Sequence, residues 1–453
     1  MRRRAIRATI LSALAVLTAV TMQSSQATPR AHTVFQNPGP GGFASDNVSY
    51  IGSIPTGAGV SGRVVTVDGQ RRFYLSSAHS LTIYDINDPS LPIPMGALPI
   101  YNWENEDMAV SKDGDTTILT EFTDTFYLHV IDTSNPHAPV LKGSIVMDGS
   151  HTAECADVPC HFLFASNGKT YDIRDRSNPK ALPRAQWWST MVHAGGAHAL
   201  HQDGAGYWIA DETPLVMFRA DNPLHPHRIT SGNVTLNTAY QHNNIRPGAA
   251  HYTPRRAGDH RKALRPGEML MTEGETNFSP SCGGGSGAFS TWSMVGWDKG
   301  RPMKQLHVLR PVNGSYDATG DPAVNALGCS GHWFKVRGDS PGIYADDYLV
   351  AGAWYEHGTR FLAVDKTTAQ IKQVGYFQPV RGSASSAYWV PGTNYVYVVD
   401  YQRGVDILKF HPWDAPPTVA ETNRSWMAKL HTVDTLSQQE RFWCGQAMRH
   451  PTG

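Results

Sequence analysis

The sequence predicts an all-β chain: a seven-bladed β-propeller of four-stranded antiparallel blades, closed by an N-terminal strand. Three observations predict it. A unit recurs seven times, in which an apolar run ending in Asp or a similar residue leads through an Asn-, Asp- and Pro-rich turn to another short β run. Two further short β runs precede each copy, so each repeat holds four strands. The 42 glycines and 30 prolines suit many short strands joined by turns.

The elements follow in chain order. MRRRAIR is a basic start, ATILSALAVLTAVTM is apolar and of signal-peptide length, and SQA at Ser25 to Ala27 suits cleavage. Residues 1–27 are therefore expected to be a signal peptide and residues 28–46 a linker. Arg3-Arg4 hints weakly at twin-arginine export. No later run is long and apolar enough to span a membrane, so a secreted, extracellular protein is expected, and a monomer. The 39 basic and 39 acidic residues balance, which argues against a nucleic-acid or membrane-surface partner.

Export makes the five cysteines candidate disulfides. Cys155 and Cys160 are close enough to staple a hairpin. Cys282 and Cys329 are expected to pair over a longer loop, with Cys444 left over. Other pairings among these three stay open.

The repeats occupy residues 47–412. LTIYDINDPSLPIPMGALPI from Leu81 is echoed by LHVIDTSNPHAPVLKGSI from Leu128 and KTYDIRDRSNPKALPRA from Lys169. Weaker copies start at Val216, Met294, Phe361 and Val405. SYIGSI at Ser49 to Ile54 resembles a fourth strand without strands of its own. The seventh blade, with SAYWV, NYVYVVD and GVDILKF, lacks one, so the N-terminal strand is expected to complete it. Residues 413–453 carry no blade pattern and are expected to pack on the outside.

Aligning the innermost strands puts histidine at one position in four successive blades: His151, His198, His242 and His332. Blade 2 has Glu106 there. Innermost strands line the channel of a propeller, so their first residues ring one mouth. Four imidazoles converging there suit a transition metal, copper or iron before zinc. The second strands end on the same face with Glu121, Asp211, Glu273 and Asp400. Glu106, Asp211 and Glu273 are the carboxylates expected to support the metal-bound rings. Loops of that face carry His79, Tyr355, Glu356, His357, Tyr401 and Arg403, of which His357, Tyr355, Glu356 and Arg403 are the candidate catalytic groups.

VIDTSNPHAPVLKGSI, HTAEC, CSGHWFKV and GAWYEHGTRFLAVD resemble the LVIVD-repeat family of secreted bacterial propellers, over roughly residues 47–412. The resemblance implies the propeller fold. In architecture alone the ring is similar to selenium-binding-protein-like methanethiol oxidases, which use histidines and copper. Carotenoid oxygenases, similar in the same limited sense, hold iron on four histidines.

Three functions are weighed. The first is a metal-dependent oxidoreductase acting on an unknown small-molecule or glycan substrate. The second is a metal-assisted lyase or hydrolase with His357 or His79 as base, Tyr355 or Tyr401 as acid and Arg403 holding an anion. The third is a binding propeller without catalysis. The sequence carries no P-loop, no dinucleotide-binding glycine motif and no Gly-x-Ser-x-Gly elbow.

Overall fold

In blades 1, 2, 3 and 6 the reversal between the third and fourth strands is set by an aspartate. Asp132 Oδ1 accepts the Ser134 backbone N–H at 3.1 Å and the Ser134 hydroxyl at 2.6 Å. Asp85 holds the Asn87 N–H at 2.8 Å, Asp172 the Arg174 N–H at 3.0 Å and Asp365 the Thr367 N–H at 2.9 Å. Each carboxylate replaces a backbone acceptor and locks the turn that sends the chain outward. The repeated motif is thus a folding signal.

The computed structural model describes residues 42–122, 125–190, 197–210, 215–230, 241–275, 287–311, 329–379 and 382–414. Among these residues the chain forms seven antiparallel sheets, one per repeat. The innermost strands of blades 1 to 7 are Gly59–Val67, Ala109–Val110, Ala153–Cys155, Leu200–Gln202, Gln241–Ile245, Phe334–Val336 and Ala384–Trp389. Large side chains fill the spaces between blades. Phe361 of blade 6 stacks on Phe410 of blade 7 at 4.9 Å, and Phe73 of blade 1 meets Tyr397 of blade 7 edge-on at 5.1 Å. Such burial is worth about 1.5–3 kcal/mol per side chain.

The ring closes as expected. Val48–Ile54 pairs antiparallel with Gly404–Phe410, from Val48 opposite Phe410 to Ile54 opposite Val405. It supplies the fourth strand of blade 7. An additional strand, Gly42–Ala44, pairs with Ile371–Pro379 and makes blade 6 five-stranded. Three residues in a Gly- and Pro-rich stretch show no periodicity, so the sequence did not mark it.

Cys155 and Cys160 form a disulfide across the hairpin of blade 3. Cys329 is also disulfide-bonded. Its expected partner Cys282, Cys444, Asp211 and the segment expected to be a signal peptide lie outside the described residues, as do most of the expected linker and C-terminal extension. Among the described residues no helix is long and apolar enough to cross a membrane.

Candidate metal centre

The mouth of the channel is built from irregularities at the starts of the innermost strands. In blade 5 the register shifts between Gln241 and Asn243, which leaves His242 as the extra residue of a bulge. Blades 1 and 7 shift at the same place, around Val60 and Ser385. A bulge frees a residue from the pleat and re-aims its side chain.

These residues bond around the ring from blade to blade. His242 Nδ1 donates to the carbonyl of His332 at 3.1 Å. His332 Nδ1 donates to the carbonyl of Ser385 at 2.7 Å, and the Ser385 hydroxyl donates to the carbonyl of Val60 at 2.7 Å. On the other side Thr152 donates to the carbonyl of His198 at 2.9 Å, and Thr120 to that of His151 at 2.7 Å. A carbonyl oxygen only accepts, so His242 and His332 carry their protons on Nδ1. Their Nε2 atoms are left facing the channel axis.

Three Nε2 atoms converge on one oxygen. Glu106 Oε2 lies 3.1 Å from His198, 3.1 Å from His242 and 3.6 Å from His332. Glu275 Oε2 stands 3.8 Å from His242 Nε2. Burial would raise the Glu106 carboxyl, but the facing imidazoles of His198, His332 and His242 outweigh it and hold it well below the usual range. Burial, reinforced by repulsion from His198 and His332, holds His242 well below its ordinary value, so it is a neutral ring. His242 therefore aims a lone pair at an ionised carboxylate 3.1 Å away. Two acceptors at that distance need a cation or a proton between them. His332 Nε2 is buried without a hydrogen-bond partner among the described residues.

The spacing fits a metal. Two ligands each about 2.1 Å from one ion stand roughly 3.0 Å apart at octahedral angles and roughly 3.4 Å at tetrahedral ones. Glu106, His198 and His242 offer donor atoms within 4.8 Å of one another, as do His242, Glu275 and His332. The Nδ1 bonds to carbonyls are the supports that orient metal-bound imidazoles.

The remaining candidates are distributed around this centre. His151 turns to Glu104, whose Oε2 lies 3.2 Å from His151 Nδ1. Burial alone would lower His151, but Glu104, Glu106 and Glu275 raise it to about 9. Glu104 has φ of 65°, an uncommon left-handed conformation for a residue with a side chain. Tyr355, at φ 37°, lays its ring 4.8 Å from that of His332 and donates its hydroxyl to Glu275 Oε1 at 2.5 Å. Tyr401 stacks on Tyr355 at 6.3 Å.

Glu356 and His357 are buried in the same turn of blade 6, where the Glu356 carbonyl accepts from Gln378 and the His357 carbonyl from Arg360. Arg403 is held by Asp406 at 2.8 and 2.9 Å. Glu273 is fully buried beside Gly331 and Gly352, and burial pushes its carboxyl well above the usual range. Asp400 caps its own turn by accepting the Ser383 and Gln402 N–H groups, and Glu121 pairs with His129 at 2.9 Å. Glu104 and Glu275 are residues that sequence reasoning did not single out. Both lie in connecting segments, where no periodicity marks a direction.

A second polar layer lies deeper, with Asp107 directly after Glu106 and Glu154 and His201 three residues beyond His151 and His198. It holds Asp107, Glu154 and His201, whose donor atoms also lie within 4.8 Å of one another. Here cations are present. Arg63 meets Glu154 at 3.0 and 3.4 Å and Asp107 at 3.7 Å, and Lys335 approaches Asp107 at 3.9 Å. Trp333, fully buried, stands between the layers, 5.0 Å from the ring of His242 and 5.6 Å from that of His201. Beyond the deeper layer a cavity of about 510 Å³ opens at the opposite mouth, lined by Arg63, Glu154, His201 and Trp208 among others.

The LVIVD repeat is matched by residues 124–146. That segment spans the third and fourth strands of blade 2, including the Asp132 turn. The described structure is similar to the β-propeller domain of Myceliophteria thermophila Cps50 (Swd1), at 11% identity, a TM-score of 0.47, and coverage of 80% of this chain and 99% of that one. No curated protein matches the chain.

Proposed function

We propose that this chain is an exported metal-dependent oxidoreductase whose metal is held by Glu106, His198, His242 and His332, with Glu275 at the edge of the coordination sphere. One observation carries the reading: the Nε2 atoms of His198, His242 and His332 converge within 3.1 to 3.6 Å of one Glu106 carboxylate oxygen, with the Nδ1 atoms of His242 and His332 bonded to backbone carbonyls. The site resembles a preformed cation cage, because a lone pair and a carboxylate 3.1 Å apart repel without one. Three nitrogens and a carboxylate suit iron, copper or zinc before magnesium or calcium, and the redox-active ions favour oxidation chemistry. When bound, such an ion supplies a site for electron transfer or for polarising a substrate oxygen.

The chain's own groups have separate tasks. Glu106 offsets the charge of the ion and draws the imidazoles inward. Tyr355 holds a proton beside the site on a hydroxyl already bonded to Glu275, a pair able to pass it to or from a substrate atom. Trp333 closes the channel below, so substrate enters from the histidine mouth. The Cys155–Cys160 disulfide supports an oxidising compartment and hence export.

The Tyr355–Glu275 pair also supports a second reading, a metal-assisted lyase or hydrolase in which it serves as the acid–base couple. Elemental analysis of the purified protein, followed by oxygen uptake with candidate reductants, separates the two. About one copper or iron per chain with substrate-dependent oxygen uptake supports oxidation. Zinc with no redox turnover moves the function to the second reading.

A further inference from the structure

Blade 2 carries a second set of reactive groups, separate from the donors of the metal centre. Glu121, His129 and Ser144 lie side by side on its second, third and fourth strands, Thr116–Phe122, Phe126–Asp132 and Val140–Met147. His129 Nε2 is 2.9 Å from Glu121 Oε2, and His129 Nδ1 is 2.7 Å from the Ser144 hydroxyl. A carboxylate only accepts, so the neutral ring carries its proton on Nε2 and leaves a lone pair on Nδ1. The Ser144 hydroxyl therefore donates to Nδ1. Nucleophile, base and orienting carboxylate form one unbroken chain of hydrogen bonds. The ring nitrogens are used in the reverse order of a serine protease, with the same roles.

The surroundings suit a nucleophile. Glu121 and His129 are buried, whereas Ser144 is exposed. Thr133 N–H donates to the Asp115 carbonyl at 2.9 Å, and from there the register runs unbroken to His129 opposite Leu119. Backbone bonds alternate along an antiparallel pair, so those of His129 go to the second strand. His129 and Ser144 then face each other as a non-hydrogen-bonded pair. This brings their side chains close and points the Ser144 N–H to the outer edge of the sheet. No strand pairs with that edge among the described residues. An N–H beside the attacking oxygen is a donor for the oxyanion that forms there. On the same face, Val146 is 56% exposed and stands opposite Tyr127, whose ring stacks on His129 at 6.1 Å. Val146 and Tyr127 make a shallow apolar floor beside the serine.

We propose that blade 2 holds an acyl-transfer site independent of the metal centre, with Ser144 as nucleophile, His129 as base and Glu121 as orienting carboxylate, and that it hydrolyses esters of short apolar carboxylic acids. Ser144 Oγ adds to the ester carbonyl, and its proton passes to His129 Nδ1. The C–O bond to the alcohol breaks, and the alcohol leaves with that proton. Water, giving its proton to His129, then releases the acid and restores the serine. A floor two side chains wide sets the acyl group at a few carbons.

The test is labelling of the native protein with an ethyl fluorophosphonate probe, mapped by peptide mass spectrometry, beside hydrolysis of p-nitrophenyl butyrate. One phosphonyl group per chain is expected, on Ser144. Ser144→Ala and His129→Gln are expected to lose at least about 100-fold in hydrolysis and Glu121→Gln about 10-fold, with circular dichroism unchanged. A serine that only ties the strands together does not react with the probe. The label is read on unaltered protein, so a variant that misfolds does not imitate the result. No adduct, an adduct on another residue, or hydrolysis kept by Ser144→Ala overturns the proposal. Chelator-treated protein is expected to label to the same extent. Loss of the label there would tie the reaction to the metal centre and overturn an independent site.

Discussion

The two polar layers of the channel are built from the same residue types and have opposite character. Each brings histidine and carboxylate donors within 4.8 Å of one another. In the deeper layer Arg63 and Lys335 stand against Asp107 and Glu154, so the negative charge already has partners. In the mouth layer Glu104, Glu106 and Glu275 face only histidines among the described residues, and His242 turns a lone pair to a carboxylate oxygen. Donor clustering alone does not make a cation site. What decides is the kind of cation the protein supplies: Arg63 and Lys335 on one side of Trp333, and on the other only histidines, which can give up a proton to a metal ion.

The largest effect comes from removing those cations. Arg63→Met leaves Glu154 and Asp107 with one buried cation instead of two, and is expected to destabilise the fold on the order of 3 kcal/mol, seen in denaturant midpoints. The same variant should gain a second zinc equivalent in equilibrium dialysis, because Asp107, Glu154 and His201 lose their main cation and keep only the more distant Lys335. Failure to gain it would mean that the ion pairs are not what separates the layers.

In the mouth layer the corresponding change is Glu106→Gln, which keeps shape and removes charge. Metal affinity should fall at least about 100-fold, measured by competition with a chelator, with thermal unfolding little changed. Tyr355→Phe is smaller still. It removes the hydroxyl bonded to Glu275, so turnover should fall about 10- to 100-fold with metal content unchanged. Equal turnover would remove Tyr355 from proton transfer.

The smallest effect is in pH. His151 rises from about 6.5 unfolded to about 9 folded. A raised histidine stabilises the fold fully below the unfolded value and loses that contribution as pH climbs through the folded one. Metal-free protein should therefore lose stability between about pH 6.5 and 9, modestly because His151 is one-third exposed. Glu104→Gln should flatten the profile in that window, and an unchanged slope would assign it to another group.

The sequence made the fold legible because its turns are chemical. An Asp two residues before a bonded N–H recurs at Asp85, Asp132, Asp172 and Asp365, and the unpaired fourth strand at Ser49 to Ile54 declared its partner by that blade's deficit. The histidine positions were legible for a related reason, since equivalent strand starts fall on one circle. The aim of each side chain was not. His242 faces the axis because it sits on a bulge, and His151 turns to Glu104, itself held by an unusual backbone conformation. Glu106 occupied the histidine position of blade 2 in the alignment, yet its place among the three imidazoles depends on how the blades bring it across the channel. Glu273 and Glu275 are two residues apart, and the structure places one between glycines of blade 6 and the other at the mouth.

The mouth layer is expected to bind one metal ion and the deeper layer none. The measurement to make is metal content per chain in the purified protein, beside His198→Ala/His332→Ala in one preparation and His201→Ala in another. About one transition-metal ion per chain is expected, lost in the double variant and kept in His201→Ala. No metal in any preparation after reconstitution, or metal lost only with His201, would contradict it.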